Sequence, residues 1–139
     1  MKKVFVFGNG NISLQDFLEY YIEPLKNWLL TENKDEVGFI VCDFRGLDTL
    51  MMEYLKTYSK NIWVYHIGEK PRYKPDMFRT FVNEWNWVGD FKSDAERDKK
   101  AIEDCTHFLA KDFNSDETRV SGTSKNIAKC FSLNKTPIF

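Results

Sequence analysis

Val37-Gly38-Phe39-Ile40-Val41-Cys42 runs without a charge into Asp43-Phe44-Arg45-Gly46, after which Leu47 to Tyr58 takes up helical spacing. A six-residue apolar run with β-branched and aromatic residues predicts a strand buried on both faces, and the polar loop with glycine marks its end. A buried strand leading directly into a helix is the unit of a parallel sheet, because parallel neighbours need a crossover between them. The unit recurs along the chain. Val4-Phe5-Val6-Phe7 ends at Gly8, Gly8-Asn9-Gly10-Asn11 makes a turn, and Ser13 caps a helix with Asp16 three residues on. Leu14, Phe17, Leu18, Tyr21, Ile22, Leu25 and Leu29 then keep helical spacing to about residue 31, with Pro24 placed to kink or divide the helix.

Ile62-Trp63-Val64-Tyr65-His66 predicts a third strand. Residues 67–92 show no clear regular element. Ser93 to Cys105 is a charged helix with Ala101, Ile102 and Cys105 inward, followed by a strand over 106–110, a helix opened by Ser121, and a last short strand Thr136-Pro137-Ile138-Phe139. The expected fold is α/β: one domain over residues 1–139, a Rossmann-like three-layer sandwich with a mostly parallel sheet of about five strands and right-handed crossovers.

Composition narrows the function. A formal net charge of −1 leaves no basic excess to neutralise many phosphates, which argues against a nucleic-acid coat. Cys42, Cys105 and Cys130 are odd in number, widely spaced and set in apolar surroundings, as expected of reduced thiols in a cytoplasm rather than of disulfides or a metal site. His66 and His107 are too isolated in sequence to pair as ligands, and no metal or cofactor is expected. Met1-Lys2-Lys3 leads into only about five apolar residues, and no run approaches the roughly 18 of a membrane span, so neither a leader nor a membrane partner is expected.

In a parallel sheet, ligands bind at the carboxyl ends of the strands, near the point where strand order reverses. Three loops fall there: Gly8–Ser13, Asp43–Asp48 and Ser115–Thr123. Ser121-Gly122-Thr123 opens a helix whose unpaired N–H groups and partial positive charge suit a phosphate, with Gly122 allowing close approach and Ser121 or Thr123 offering a hydroxyl. Gly8, Asn9 and Gly10 form either a tight turn or a partial dinucleotide fingerprint. Arg45 suits a bidentate phosphate contact, with the flexible Gly46 beside it. Asp48 either accepts from a ribose hydroxyl or favours the helix dipole. Arg97-Asp98 reads as part of a solvated charged face, His66 as structural, and Trp85, Trp87 and Phe91 as core or dimer packing or a stacking surface for a base.

Taken in order, these segments resemble the SLOG superfamily, the Rossmann-like group that includes LOG-type phosphoribohydrolases and the DNA-processing protein DprA. The likeness spans nearly the whole chain. It rests on Val4–Asn11, on Cys42-Asp43-Phe44-Arg45-Gly46-Leu47-Asp48 with Glu53-Tyr54-Leu55, on Arg97-Asp98 through Ala101 before Phe108-Leu109-Ala110, and on Ser121-Gly122-Thr123 with Asn126-Ile127. Small stand-alone members carry a G-D-x-x-G-x-D pattern after the second strand; Gly46 and Asp48 match it, whereas Cys42 stands where its first glycine is expected. The resemblance implies a nucleotide or nucleotide-derived ligand with its phosphate at Gly122 and Thr123. LOG-type hydrolases carry P-G-G-x-G-T-x-x-E; here Arg119-Val120-Ser121 precede, and Asn126 holds the glutamate position. Asparagine offers neither a nucleophile nor a base, nor a full charge for an oxocarbenium ion. The expectation is therefore a homodimeric sensor or sequestering module. The alternatives are an N-glycosidase in which Asp48 or Asp98 supplies the carboxylate, and a protein-interaction domain using residues 77–91.

Overall fold

In a computed structural model, which describes residues 1–138, six strands form one all-parallel sheet in the order β4-β3-β2-β1-β5-β6. The strands are β1 Lys2–Gly8, β2 Val37–Cys42, β3 Ile62–Ile67, β4 Asn86–Phe91, β5 His107–Lys111 and β6 Thr136–Pro137. Phe139, assigned by the sequence to the last strand, lies outside the described residues. The helices are α1 Leu14–Phe17, α2 Glu23–Leu29, α3 Leu47–Leu55, α4 Asp94–Asp104 and α5 Gly122–Ser132. The architecture is α/β with a Rossmann-like layering. Among the described residues no helix is long and apolar enough to cross a membrane.

Alternation along each strand builds the two outer layers. Val4 and Val6, Val37, Phe39 and Val41, and Ile62 and Val64 join Phe17, Tyr21, Leu25, Leu47, Met51, Met52 and Leu55 on one face. Phe5 and Phe7, Ile40 and Cys42, and Tyr65 point the other way and meet Ala101, Ile102, Cys105 and Cys130 from α4 and α5. The three cysteines are buried and unbridged.

Local signals account for the helix ends. Ser13, Ser93 and Ser121 each accept a hydrogen bond from an N–H three residues on, at Asp16, Glu96 and Ser124. Pro24 sits in the first turn of α2, and the chain reaches it through a π turn, Leu18–Ile22, in which the Glu23 N–H bonds back to Leu18. This wide turn re-phases the apolar stripe. Phe17, Tyr21, Ile22 and Leu25 are buried, whereas Leu14 and Leu18, which the helical spacing places inward, are exposed.

β4 is the element that the sequence does not announce. It is an edge strand of mostly half-buried residues, with a register shift opposite Tyr65 to Ile67 and left-handed backbone at Asp90. It raises the strand count to six. Trp85, just before it, is buried with its Nε1 donating to the Ser59 carbonyl at 2.9 Å, and it packs on Trp87; Phe91 stacks on Tyr65. These three aromatic rings serve the core.

Strands β2 to β4 spread to one side of β1 and β5–β6 to the other, so strand order reverses between β1 and β5. There the buried Tyr21 hydroxyl donates to the Phe7 carbonyl at 2.8 Å and accepts from the Lys111 N–H at 2.9 Å. The crevice that this reversal opens is where the site lies.

Candidate functional site

A cleft of about 430 Å³ opens at the carboxyl ends of β1, β2 and β5, near the lower end of the size range of small-molecule sites. The three loops anticipated from the sequence converge on it. Gly8, Asn9, Gly10, Arg45, Asp48, Asp98, Ser121, Gly122, Thr123 and Asn126 all line it, over a floor that includes Phe5, Phe7 and Cys42. Gly46 does not.

The glycines divide by what surrounds them. A Cβ on Gly8 would lie 2.3 Å from the Tyr21 hydroxyl, and one on Gly10 would lie 2.7 Å from the Phe44 ring. Gly46, with φ +74°, backs onto Gly10 so closely that a Cβ would approach its backbone to 2.5 Å. These three let strand, helix and loop meet. Gly122 differs: a Cβ there would meet nothing within 4 Å and would project into open space.

Hydrogen bonding sorts the polar residues in the same way. The Asn9 side chain is fully engaged: its Oδ1 accepts from the Phe113 N–H, and its Nδ2 donates to Asp112 at 3.0 Å and Thr123 Oγ1 at 3.3 Å. Ser121 uses its one proton on Asp112 at 2.7 Å and accepts from Ser124. Both therefore fix the loops rather than offer donors to a ligand. Burial alone would raise the Asp112 carboxyl, but hydrogen bonds from Ser115, Ser121, Asn9 and the Asn114 N–H hold it well below the usual range. What remains open to the cleft at this end is the first turn of α5 and the Thr123 hydroxyl proton.

Arg45 and Arg119 are both exposed at the cleft, and neither forms an ion pair within 4 Å among the described residues. Arg45 rests on the Phe44 ring at 5.1 Å. The sequence pointed to Arg45 and placed the Ser115–Thr123 loop at this edge, but it assigned Arg119 within that loop no role; the fold turns this residue to the cleft.

The inner wall is acidic and built on a buried arginine. Arg97, expected on a solvated face, is only 4% exposed. Its guanidinium reaches Asp43 at 3.2 Å, Asp94 at 2.8 Å and Asp98 at 2.9 Å. Asp43, whose side chain is wholly buried, also takes Arg72 through its N–H, Nε and Nη2. Burial opposes its ionisation, yet the Arg72 hydrogen bonds, backed by the charges of Arg72 and Arg97, bring its carboxyl below the ordinary value. Asn126 donates through Nδ2 to Asp98 Oδ2 at 3.0 Å, so the residue in the expected glutamate position supports a carboxylate instead of being one.

Asp48 lies in the first turn of α3, 6% exposed, and accepts from the Phe44 N–H at 2.9 Å. Burial, with Asp98 and Asp43 nearby, outweighs that bond and the charge of Arg97 and pushes its carboxyl up to about 7. His66 is buried, its Nδ1 beside the Ile67 carbonyl, and it does not line the cleft. Among the described residues no three His, Cys, Asp or Glu side chains are grouped to hold a metal ion. No family model matches the chain, and neither a curated protein nor a solved structure is found to be similar to it.

Proposed function

We propose that this protein binds a nucleotide or nucleotide-derived ligand at the reversal point of its sheet, as a sensor or sequestering module. The observation that carries the proposal is that Arg45 and Arg119 line the same cleft as the first turn of α5 at Gly122 and Thr123. Two arginines without ion-pair partners and a run of unpaired N–H groups suit a phosphate. The polar wall of Asp48, Asp98 and Asn126 then faces the remainder of the ligand, and hydroxyl or base-edge groups match it. The resemblance to SLOG proteins supports the same assignment, and with it a cytoplasmic homodimer. Isothermal titration against nucleoside mono-, di- and triphosphates tests the proposal. Saturable binding by at least one, weakened by Arg119→Ala, is expected, and no heat from any would overturn it.

One observation favours an enzyme as the second reading. Asp48 and Asp98 share the cleft in different surroundings: Asp98 is ion-paired with Arg97 at 2.9 Å, whereas Asp48 forms no ion pair among the described residues and burial pushes its carboxyl up to about 7. Such a division serves an acid and a nucleophile in glycosidic cleavage. Release of free base from nucleoside monophosphates, abolished by Asp98→Asn, would favour the enzyme; binding without turnover favours the module.

A further inference from the structure

Four carboxylates gather at the inner wall: Asp43 behind it, and Asp48, Asp94 and Asp98 along it. Two guanidiniums answer them. Arg72 reaches Asp43 and Asp94, while Arg97 reaches Asp43, Asp94 and Asp98. Asp48 is left out. Among the described residues it forms no ion pair, and its one hydrogen bond comes from the Phe44 N–H to Oδ2. No buried polar side-chain atom lacks a partner, so the other oxygen is open to the cleft that Asp48 lines.

The elements packed around Asp48 bring no cation of its own. Tyr21 comes from the π turn, Cys42 from the end of β2, Asp43 from the loop, and Asp94, Arg97 and Asp98 from α4, with Arg45 in the same loop at the cleft. Burial raises both the Tyr21 hydroxyl and the Cys42 thiol, which keeps them neutral. Arg97 is already shared among three other carboxylates. An ionised Asp48 beneath an anionic ligand would thus be a repulsive charge in a desolvated place, with only the shared charge of Arg97 to relieve it. The protonated acid is instead a hydrogen-bond donor.

We propose that Asp48 enters the complex as the neutral acid and donates a hydrogen bond to an acceptor atom of a bound nucleotide, so that binding takes up a proton. The inference rests on the nucleotide reading and deepens it. The inner part of the ligand presents an acceptor, such as a carbonyl oxygen or ring nitrogen, to Asp48 and a donor to Asp98. The role that the sequence offered for Asp48, accepting from a ribose hydroxyl, is then reversed. A free carboxyl that titrates near neutrality supplies the proton sink in the range where the effect is measured.

Titration calorimetry at pH 8 with AMP, GMP, CMP and UMP, in two buffers of different ionisation enthalpy, tests this. For whichever monophosphate binds, the difference in heat is expected to correspond to uptake of most of one proton, because pH 8 lies above the value of about 7 to which burial pushes the free Asp48 carboxyl. Its affinity is expected to fall more than ~10-fold from pH 6.5 to pH 8.5. Asp48→Asn, which keeps a donor, is expected to bind with uptake near zero and a flat pH profile. In the wild-type chain, the 13C shift of the Asp48 carboxyl with and without nucleotide reads the same proton without substitution. Binding without uptake, or a carboxyl that stays ionised in the complex, overturns this inference and leaves the nucleotide reading standing. No heat with any of the four, and none with di- or triphosphates, defeats the nucleotide reading and this inference with it.

Discussion

Gly8→Ala separates a packing glycine from a ligand-facing one. The new methyl would sit 2.3 Å from the Tyr21 hydroxyl and 3.0 Å from Leu47 Cγ, so the tyrosine ring must retreat by most of an ångström. That hydroxyl is wedged between the Phe7 carbonyl and the Lys111 N–H, at the place where β1 and β5 part. Retreat breaks at least one of these bonds and leaves a buried backbone group without its partner, costing about 1–3 kcal/mol. Overpacking against Leu47 adds a similar amount, and together about 3 kcal/mol is expected. For a chain of this length Tm should then fall by roughly 10 °C. Urea unfolding, followed by tryptophan fluorescence, measures the loss. The decisive experiment is a double-mutant cycle with Tyr21→Phe. Removing the hydroxyl costs stability by itself but also removes the nearest clash, leaving the ring carbon at 3.2 Å. Gly8→Ala should therefore cost about 1–2 kcal/mol less in the Tyr21→Phe background. Additivity within about 0.5 kcal/mol would refute the assignment of Gly8 to packing around Tyr21.

The same substitution at Gly122 should behave oppositely. Its Cβ meets nothing, so stability should stay within about 0.5 kcal/mol of wild type, while the methyl intrudes on the phosphate position and weakens nucleotide binding at least ~10-fold by calorimetry. Arg45→Ala and Arg119→Ala remove exposed side chains without ion pairs, so melting temperatures should barely move, while each charged hydrogen bond lost costs about 1.5–3 kcal/mol of affinity. Asp48 gives a pH dependence of stability. Its folded-state carboxyl, raised to about 7, holds a proton that the unfolded chain releases near pH 4. The native state thus binds more protons across that interval, and the Asp48 contribution is fully present below about pH 4 and lost as pH rises to 7. Asp48→Asn should be more stable than wild type by about 2–4 kcal/mol at pH 8 and by nearly nothing at pH 4, read by denaturant midpoints. Equal midpoint shifts at both pH values would contradict the burial of an unpaired carboxyl.

The strands β1, β2, β3 and β5 were legible because each holds an unbroken apolar stretch, and the serine caps because capping spans only three residues. Both signals are local. β4 was not legible: Asn86-Trp87-Val88-Gly89-Asp90-Phe91 alternates poorly, includes a glycine and a left-handed aspartate, and becomes a strand only by pairing with β3. The exposure of Leu14 and Leu18 was hidden for a related reason, since a π turn shifts the helical phase that sequence spacing assumes.

The site shows the same division. By itself the sequence determined the sheet type, the capped helix tip at Ser121, and the three polar loops that follow strands, because chain direction and periodicity place all of them. Only the tertiary structure decided what each loop residue does. It filled the space beside Gly8 and Gly10, left Gly122 facing open room, and brought Arg119 to the cleft. It also drew Arg97 inward against Asp43, 54 residues away, while leaving Asp48 without an ion-pair partner among the described residues. A charged residue in a helix has the same local pattern whether it faces water or a buried carboxylate. The difference lies in partners that distant strands deliver, and that is set by packing alone.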